Sequence, residues 1–185
     1  VYTYNRKKNE WTTPFNENPS PQFYDHCHFF DENGTLYMAG GYGYYTAKKH
    51  IQRWTAVRGW DTLIIQNDEN FFPRSELLST SGLAPGTIIL GGGRGNATGL
   101  QESGYDYLFD FWTFNPTTRT LEYMDSFKPD KGIIQYIAMA TIPRDSLLYA
   151  AALIYPESSD NPIKTRLIII HTKQRKIIPV GTDLP

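Results

Sequence analysis

One cysteine, Cys27, stands in 185 residues, so no intrachain disulfide braces the fold. A lone cysteine in a strand-like segment reads as a small buried apolar side chain. An excess of one charge is also missing: 18 Lys and Arg face 19 Asp and Glu, for a net charge of −1. A general nucleic-acid binder needs a surplus of basic groups to neutralise phosphates, and this chain has none. The short basic run from Lys173 to Lys176 reads as a solvated hairpin turn. No apolar run reaches the ~18 residues of a membrane-spanning helix. Apolar stretches such as Leu167-Ile168-Ile169-Ile170 have the length of a strand. No signal peptide is visible and the first residue is Val1, which reads as a mature form or an excised piece. No segment keeps a helical period, and Pro and Gly recur too often for long helices.

Several catalytic signatures are absent as well. There is no Gly-x-Ser-x-Gly elbow, no His-Glu-x-x-His pair and no Ser-Asp-x-Gly-x-Thr box. The run Gly91-Gly92-Gly93-Arg94-Gly95-Asn96 looks like a phosphate loop but lacks the Gly-Lys-[Ser/Thr] ending and a following helix.

Aromatic residues, by contrast, are plentiful: 15% of the chain, with 13 Tyr and 10 Phe. Aromatic and β-branched side chains fit a pleated, half-buried surface and favour strands. They fall in a repeat. A hairpin with an aromatic or apolar strand and a polar turn occurs four times, around Tyr4, Trp54, Phe114 and Ile170, at steps of 50, 60 and 56 residues. A strand ending in small residues occurs at Leu36–Gly41, again at Ile88–Gly93, and in altered form at Leu147–Ala152. The pairs Gly40-Gly41 and Gly91-Gly92 are taken as equivalent, with Ala150-Ala151 in the third copy. The turns Asn33-Gly34 and Asn115-Pro116-Thr117-Thr118 suit tight reversals.

A period of about 50 residues carrying four short strands is the pattern of a β-propeller. The expected pieces are the end of a preceding blade at 1–13 and full blades at 22–66, 71–125 and 132–181. The second strands are expected at Thr35–Ala39, Thr87–Leu90 and Ser146–Ala152. The first strands are expected at Tyr24–Phe30, Glu76–Ser81 and Ile134–Thr141.

With its Gly-Gly pairs, its aromatics Trp54 and Phe114, Trp60 opening a fourth strand, and its Pro73-Arg74 lead-in, the chain resembles the kelch-repeat family. The resemblance implies an all-β, kelch-type propeller of which this chain supplies about three and a half four-stranded blades. Six or seven blades are expected in all, the rest coming from the same longer chain. Ala150-Ala151 and Leu121 depart from the pattern.

Small residues at strand ends let neighbouring blades approach, and the long connections after them are where a rigid scaffold carries function. Tyr42, Tyr44 and Tyr45 in the first such loop offer stacking surface and hydroxyls. Arg94, Asn96 and Gln101 lie in the second. These six residues are the expected ligand contacts, for a protein or a carbohydrate. The expected role is a non-catalytic binding module without a cofactor.

The alternative is a carbohydrate-active kelch enzyme, either a galactose-oxidase-like copper oxidase or a sugar epimerase or mutarotase. In Tyr24-Asp25-His26-Cys27-His28, alternation puts His26 and His28 on one strand face, a pairing suited to copper or zinc. Kelch first strands also carry a packing histidine, and that reading is preferred. The acids Asp25, Glu76, Asp106 and Asp110 are scattered. Two glycosylation sequons begin at Asn33 and Asn96. Few cysteines and a Tyr- and Asn-rich surface suit a periplasmic or secreted setting.

Overall fold

A computed structural model describes residues 3–12, 24–128, 133–142, 147–155, 164–174 and 176–184. Residues 1–2, 13, 22–23, 132, 143–146, 156–163 and 175, which the expected pieces include, lie outside the described residues. The described chain is all-β: several antiparallel sheets, none closed, with one turn of 3-10 helix at Gln101–Ser103.

Strands β1 (Thr3–Asn5) and β2 (Glu10–Thr12) form a hairpin. Sheet I holds β3 (Cys27–Phe30), β4 (Leu36–Ala39), β7 (Ile51–Thr55) and β8 (Gly59–Thr62), each paired with the next. The intervening β5 (Tyr42–Gly43) and β6 (Thr46–Ala47) make a separate small ribbon. Sheet II holds β10 (Leu78–Ser81), β11 (Ile88–Gly91), β14 (Asp110–Asn115) and β15 (Thr120–Ser126). β9 (Arg74–Ser75), just before its first strand, forms a three-stranded ribbon with β12 (Arg94–Gly95) and β13 (Asp106–Tyr107), which lie between β11 and β14. Sheet III holds β16 (Ile133–Ile142), β17 (Leu147–Tyr155), β18 (Lys164–His171) and β19 (Lys176–Leu184).

The first strands come out shorter than expected in two sheets. Asp25 (φ 53°) and Glu76 (φ 55°) both adopt left-handed backbone, which breaks the extended run before β3 and β10 begin.

In all four outer hairpins the last residue of the first strand caps the turn with its side chain. Asn5 Oδ1 accepts from the amides of Lys7 and Lys8, and Asn115 Oδ1 from those of Thr117 and Thr118. Thr55 Oγ1 accepts from Arg58, and His171 Nδ1 from Gln174. Short polar side chains that bond their own backbone stabilise such turns. In three of them a left-handed residue follows, at Asn9, Gly59 and Arg119.

Sheet II lies between the other two. Ile88, Leu90, Trp112 and Phe114 pack with Phe29, Tyr37 and Ile51 of sheet I. Ile89 and Phe111 pack with Tyr136, Leu148, Ala150 and Ile168 of sheet III. With both faces buried, β11 has no polar side to show, hence the unbroken apolar run Ile88-Ile89-Leu90. The first strands stand side by side: Ser79 Oγ donates to His28 O across 3.1 Å, and Thr141 Oγ1 to Ser81 O across 2.8 Å.

The glycine pairing of the sequence needs shifting by one residue. Gly40 (φ 68°) and Gly41 (φ 106°) correspond to Gly92 (φ 68°) and Gly93 (φ 95°), not to Gly91-Gly92. Gly91 still lies on β11 opposite Phe111, as Ala39 lies on β4 opposite Ile51. A Cβ on Gly91 would sit 2.3 Å from Phe111 Cδ1, so the broad ring is what requires glycine there. In sheet III, Ala150 and Ala151 stay in the strand, and β17 runs on to Tyr155 without a break.

Candidate functional site

The left-handed glycine pairs throw the chain out of sheets I and II into the two ribbons. Arg74 ties those turns together. Its amide donates to Lys48 O and its carbonyl accepts from Gly41 N. Its side chain is fully buried, stacks over Phe71 at 4.4 Å and donates to Gly92 O at 3.2 Å. Two further guanidinium bonds, 2.7 and 2.8 Å, hold the Asp110 carboxylate, which also accepts from Trp112 Nε1 at 2.6 Å. Burial pushes the Asp110 carboxyl up, but the Arg74 bonds and charge and the Trp112 bond outweigh it and hold the group below its ordinary range.

On this base stands the ribbon β5–β6, whose two-residue turn is Tyr44-Tyr45. Both residues are left-handed, at φ 49° and 60°, and are 71% and 77% exposed. A two-residue hairpin turn of this kind favours Asn-Gly, because positive φ at both positions crowds a larger side chain. The segment 96–105 lies against the ribbon. Thr46 pairs with Leu100, Gln101 N donates to Tyr45 O at 3.1 Å, and Ala47 N donates to Gly99 O at 2.7 Å. Tyr105 packs its ring edge-to-face with Tyr42 at 6.2 Å and donates its hydroxyl to Gly99 O at 2.8 Å. Between ribbon and segment runs an open groove of about 460 Å³ lined by Tyr44, Tyr45, Thr46, Leu100, Gln101 and Glu102.

The six expected ligand contacts therefore separate. Tyr44, Tyr45 and Gln101 line the groove, and Tyr42 stands behind it, its hydroxyl donating to Gln101 Oε1. Arg94 lies over the Tyr107 ring at 5.2 Å and reaches Glu76 at 3.9 Å, away from the groove. Asn96 is turned inward: its amide donates to Leu100 O and Gly104 O and its carbonyl accepts from Gly99 N. It shapes the loop rather than facing a ligand. Thr46, Leu100 and Glu102 are groove residues that the sequence did not single out. The ribbon pairing that gathers them spans more than fifty residues and leaves no local pattern.

His26 and His28 do share a face, with their Nε2 atoms 3.2 Å apart and their rings edge-to-face at 4.4 Å. His28 is pushed down to about 4, by burial first and the neighbouring His26 second. Cys27 points into the core, and burial raises its thiol to about 12, which leaves it an inert apolar packer. Among the described residues no group of three His, Cys, Asp or Glu side chains gathers around one point. Of the scattered acids, Asp110 is held by Arg74, and Glu76 accepts from Gln135 Nε2 at 2.6 Å. Among the described residues no helix is long and apolar enough to cross a membrane.

No protein-family model matches this chain, and no curated protein matches it.

Proposed function

We propose that the chain is a recognition module, part of a kelch-type propeller, whose groove beside Tyr44 and Tyr45 takes a carbohydrate. One observation carries the reading. Two adjacent, exposed tyrosines are kept at positive φ, a conformation costing a non-glycine residue about 1–2 kcal/mol each. Strain of this kind persists only where the surroundings impose it, and it collects at binding sites. The aromatic faces supply flat stacking area for the C–H face of a sugar ring. The Gln101 amide and the Glu102 carboxylate beside them supply hydrogen-bond partners for hydroxyls.

The propeller part of the reading is supported by the neighbouring first strands, the side-chain cap repeated in four outer hairpins, and a side of sheet III on which no sheet of the described residues packs. That side carries two cross-strand apolar rows, Ala140–Tyr149–Ile169–Ile178 and Ala138–Ala151–Leu167–Val180. Each of sheets I and II buries such a face on its successor, so a further sheet completes sheet III in the same way.

A glycan array followed by titration of the best ligand tests the function. Tyr44→Ala/Tyr45→Ala should weaken binding about tenfold or more, since each stacking aromatic is worth roughly 1 kcal/mol or more. Tyr123→Ala, exposed on β15, should leave it unchanged. Saturable binding that survives the double substitution places the site elsewhere, and no saturable glycan overturns the carbohydrate reading. A mutarotation assay on the same sugars separates binding from turnover.

A further inference from the structure

We infer that His26 and His28 form a two-histidine chelate for a divalent transition-metal ion of the zinc or copper class. The site lies on the opposite face of β3 from the core and does not depend on the groove. It is carried by the convergence of two ring nitrogens. Nε2 of His26 and Nε2 of His28 are 3.2 Å apart. Two imidazole nitrogens bound to one tetrahedral ion, each at about 2.0–2.1 Å, stand roughly 3.3 Å from each other.

The ring centres are 4.4 Å apart and the planes cross at 79°. The nitrogens already stand at the spacing of a chelate, while two rings aimed squarely at one ion would stand about 5 Å apart at their centres, so binding tips the rings slightly outward. A head-on N–H···N bond would instead separate the centres by both ring radii beyond the nitrogen gap. The backbone explains the arrangement. His28 lies on β3 on the face away from the core, and His26 sits in the link between the left-handed Asp25 and the start of β3, where the turn brings its ring against that of His28. Cys27, between them, is committed to the core. The facing β4 places Met38 opposite His28, which brings no charge against a cation.

Two protein ligands leave two of four tetrahedral positions for water or for oxygen donors of a bound molecule, so the ion exchanges readily. Copper and zinc are favoured over magnesium and calcium because imidazole suits the former and oxygen donors the latter.

Trp60 reports on the site, its ring centre 6.1 Å from that of His28. Cu²⁺ titrated into the protein should quench Trp emission saturably at one ion per chain, and Trp60→Phe should remove most of the quenched amplitude. Zn²⁺ followed by calorimetry should give the same stoichiometry, and Mg²⁺ none. His26→Gln and His28→Gln should each weaken both ions ~10-fold or more, as even partners outside the direct ligand set move metal affinity by such factors. His171→Gln, which alters only a turn, should not. A melt with and without Zn²⁺ checks folding: the parent should gain stability with metal, and folded His28→Gln should not. Stoichiometric binding unchanged in the double glutamine variant, or no saturable binding by the folded parent, overturns the proposal.

Discussion

Arg74 and Asp110 are 36 residues apart in sequence and joined by two short bonds in the interior. The pair has two distinct energetic consequences. Removing one partner strands the other charge where water cannot reach it, so Asp110→Ala should cost about 3–5 kcal/mol in urea denaturation. Protonation acts more gently. The carboxyl is depressed in the folded state, so the unfolded chain takes up the proton first. The stabilisation is complete above the ordinary carboxylate value of 3.8 and drains away as pH falls below it toward the folded value. An acid-unfolding profile should show this limb in the parent and a flatter one in Asp110→Asn. At Tyr44 and Tyr45 the expected sign is reversed. Tyr44→Asn/Tyr45→Gly places the favoured pair in the turn and should raise stability by about 1–2 kcal/mol while removing glycan binding. A melting curve and the array titration, run on one preparation, check both halves.

The strands themselves were legible where turn chemistry bounded them. Asp31-Glu32-Asn33-Gly34 and Asn115-Pro116-Thr117-Thr118 fixed the hairpins of sheets I and II, and periodic apolar residues filled the rest. The ribbons β5–β6 and β9–β12–β13 were not legible, because two-residue strands have no period to read. The run of three glycines at 91–93 concealed its own register. The three are glycine for two different reasons, and only the backbone angles distinguish the left-handed pair from the one that Phe111 crowds. Arg74 was noticed as part of a lead-in, but its partner lay too far along the chain to be recognised. The Gly91 explanation is open to a double-mutant cycle. Gly91→Ala should cost about 1–3 kcal/mol by overpacking against Phe111, and noticeably less in a Phe111→Leu background. Additive costs would mean that the ring is not what excludes the methyl group.

At the scale of the molecule, the apolar rows on the far side of sheet III have an immediate consequence. Leu167 and Ile169 are half-buried there, while Ile168 and Ile170 lie in the core. Replacing Leu167 and Ile169 together by Lys should reduce binding of a hydrophobic dye and self-association in gel filtration. It should change the urea midpoint far less than Ile168→Ala, which should cost about 2–5 kcal/mol. If a further sheet is supplied by a longer chain, the same lysines should instead become strongly destabilising in that longer protein.

The placement of sheet II between its neighbours also bears on how the protein opens. The backbone amides of β11 and β14 can meet solvent only after both flanking sheets have moved away, whereas β19 and β8 are released by the loss of a single neighbour. Deuterium should therefore enter from the two ends inward, with Ile89, Leu90 and Trp112 exchanging last and at the rate of global unfolding. The groove tyrosines stand on a ribbon that leaves sheet I, but the segment 96–105 facing them leaves sheet II, so one wall of the groove is rooted in this slow centre and is already in place before a ligand arrives.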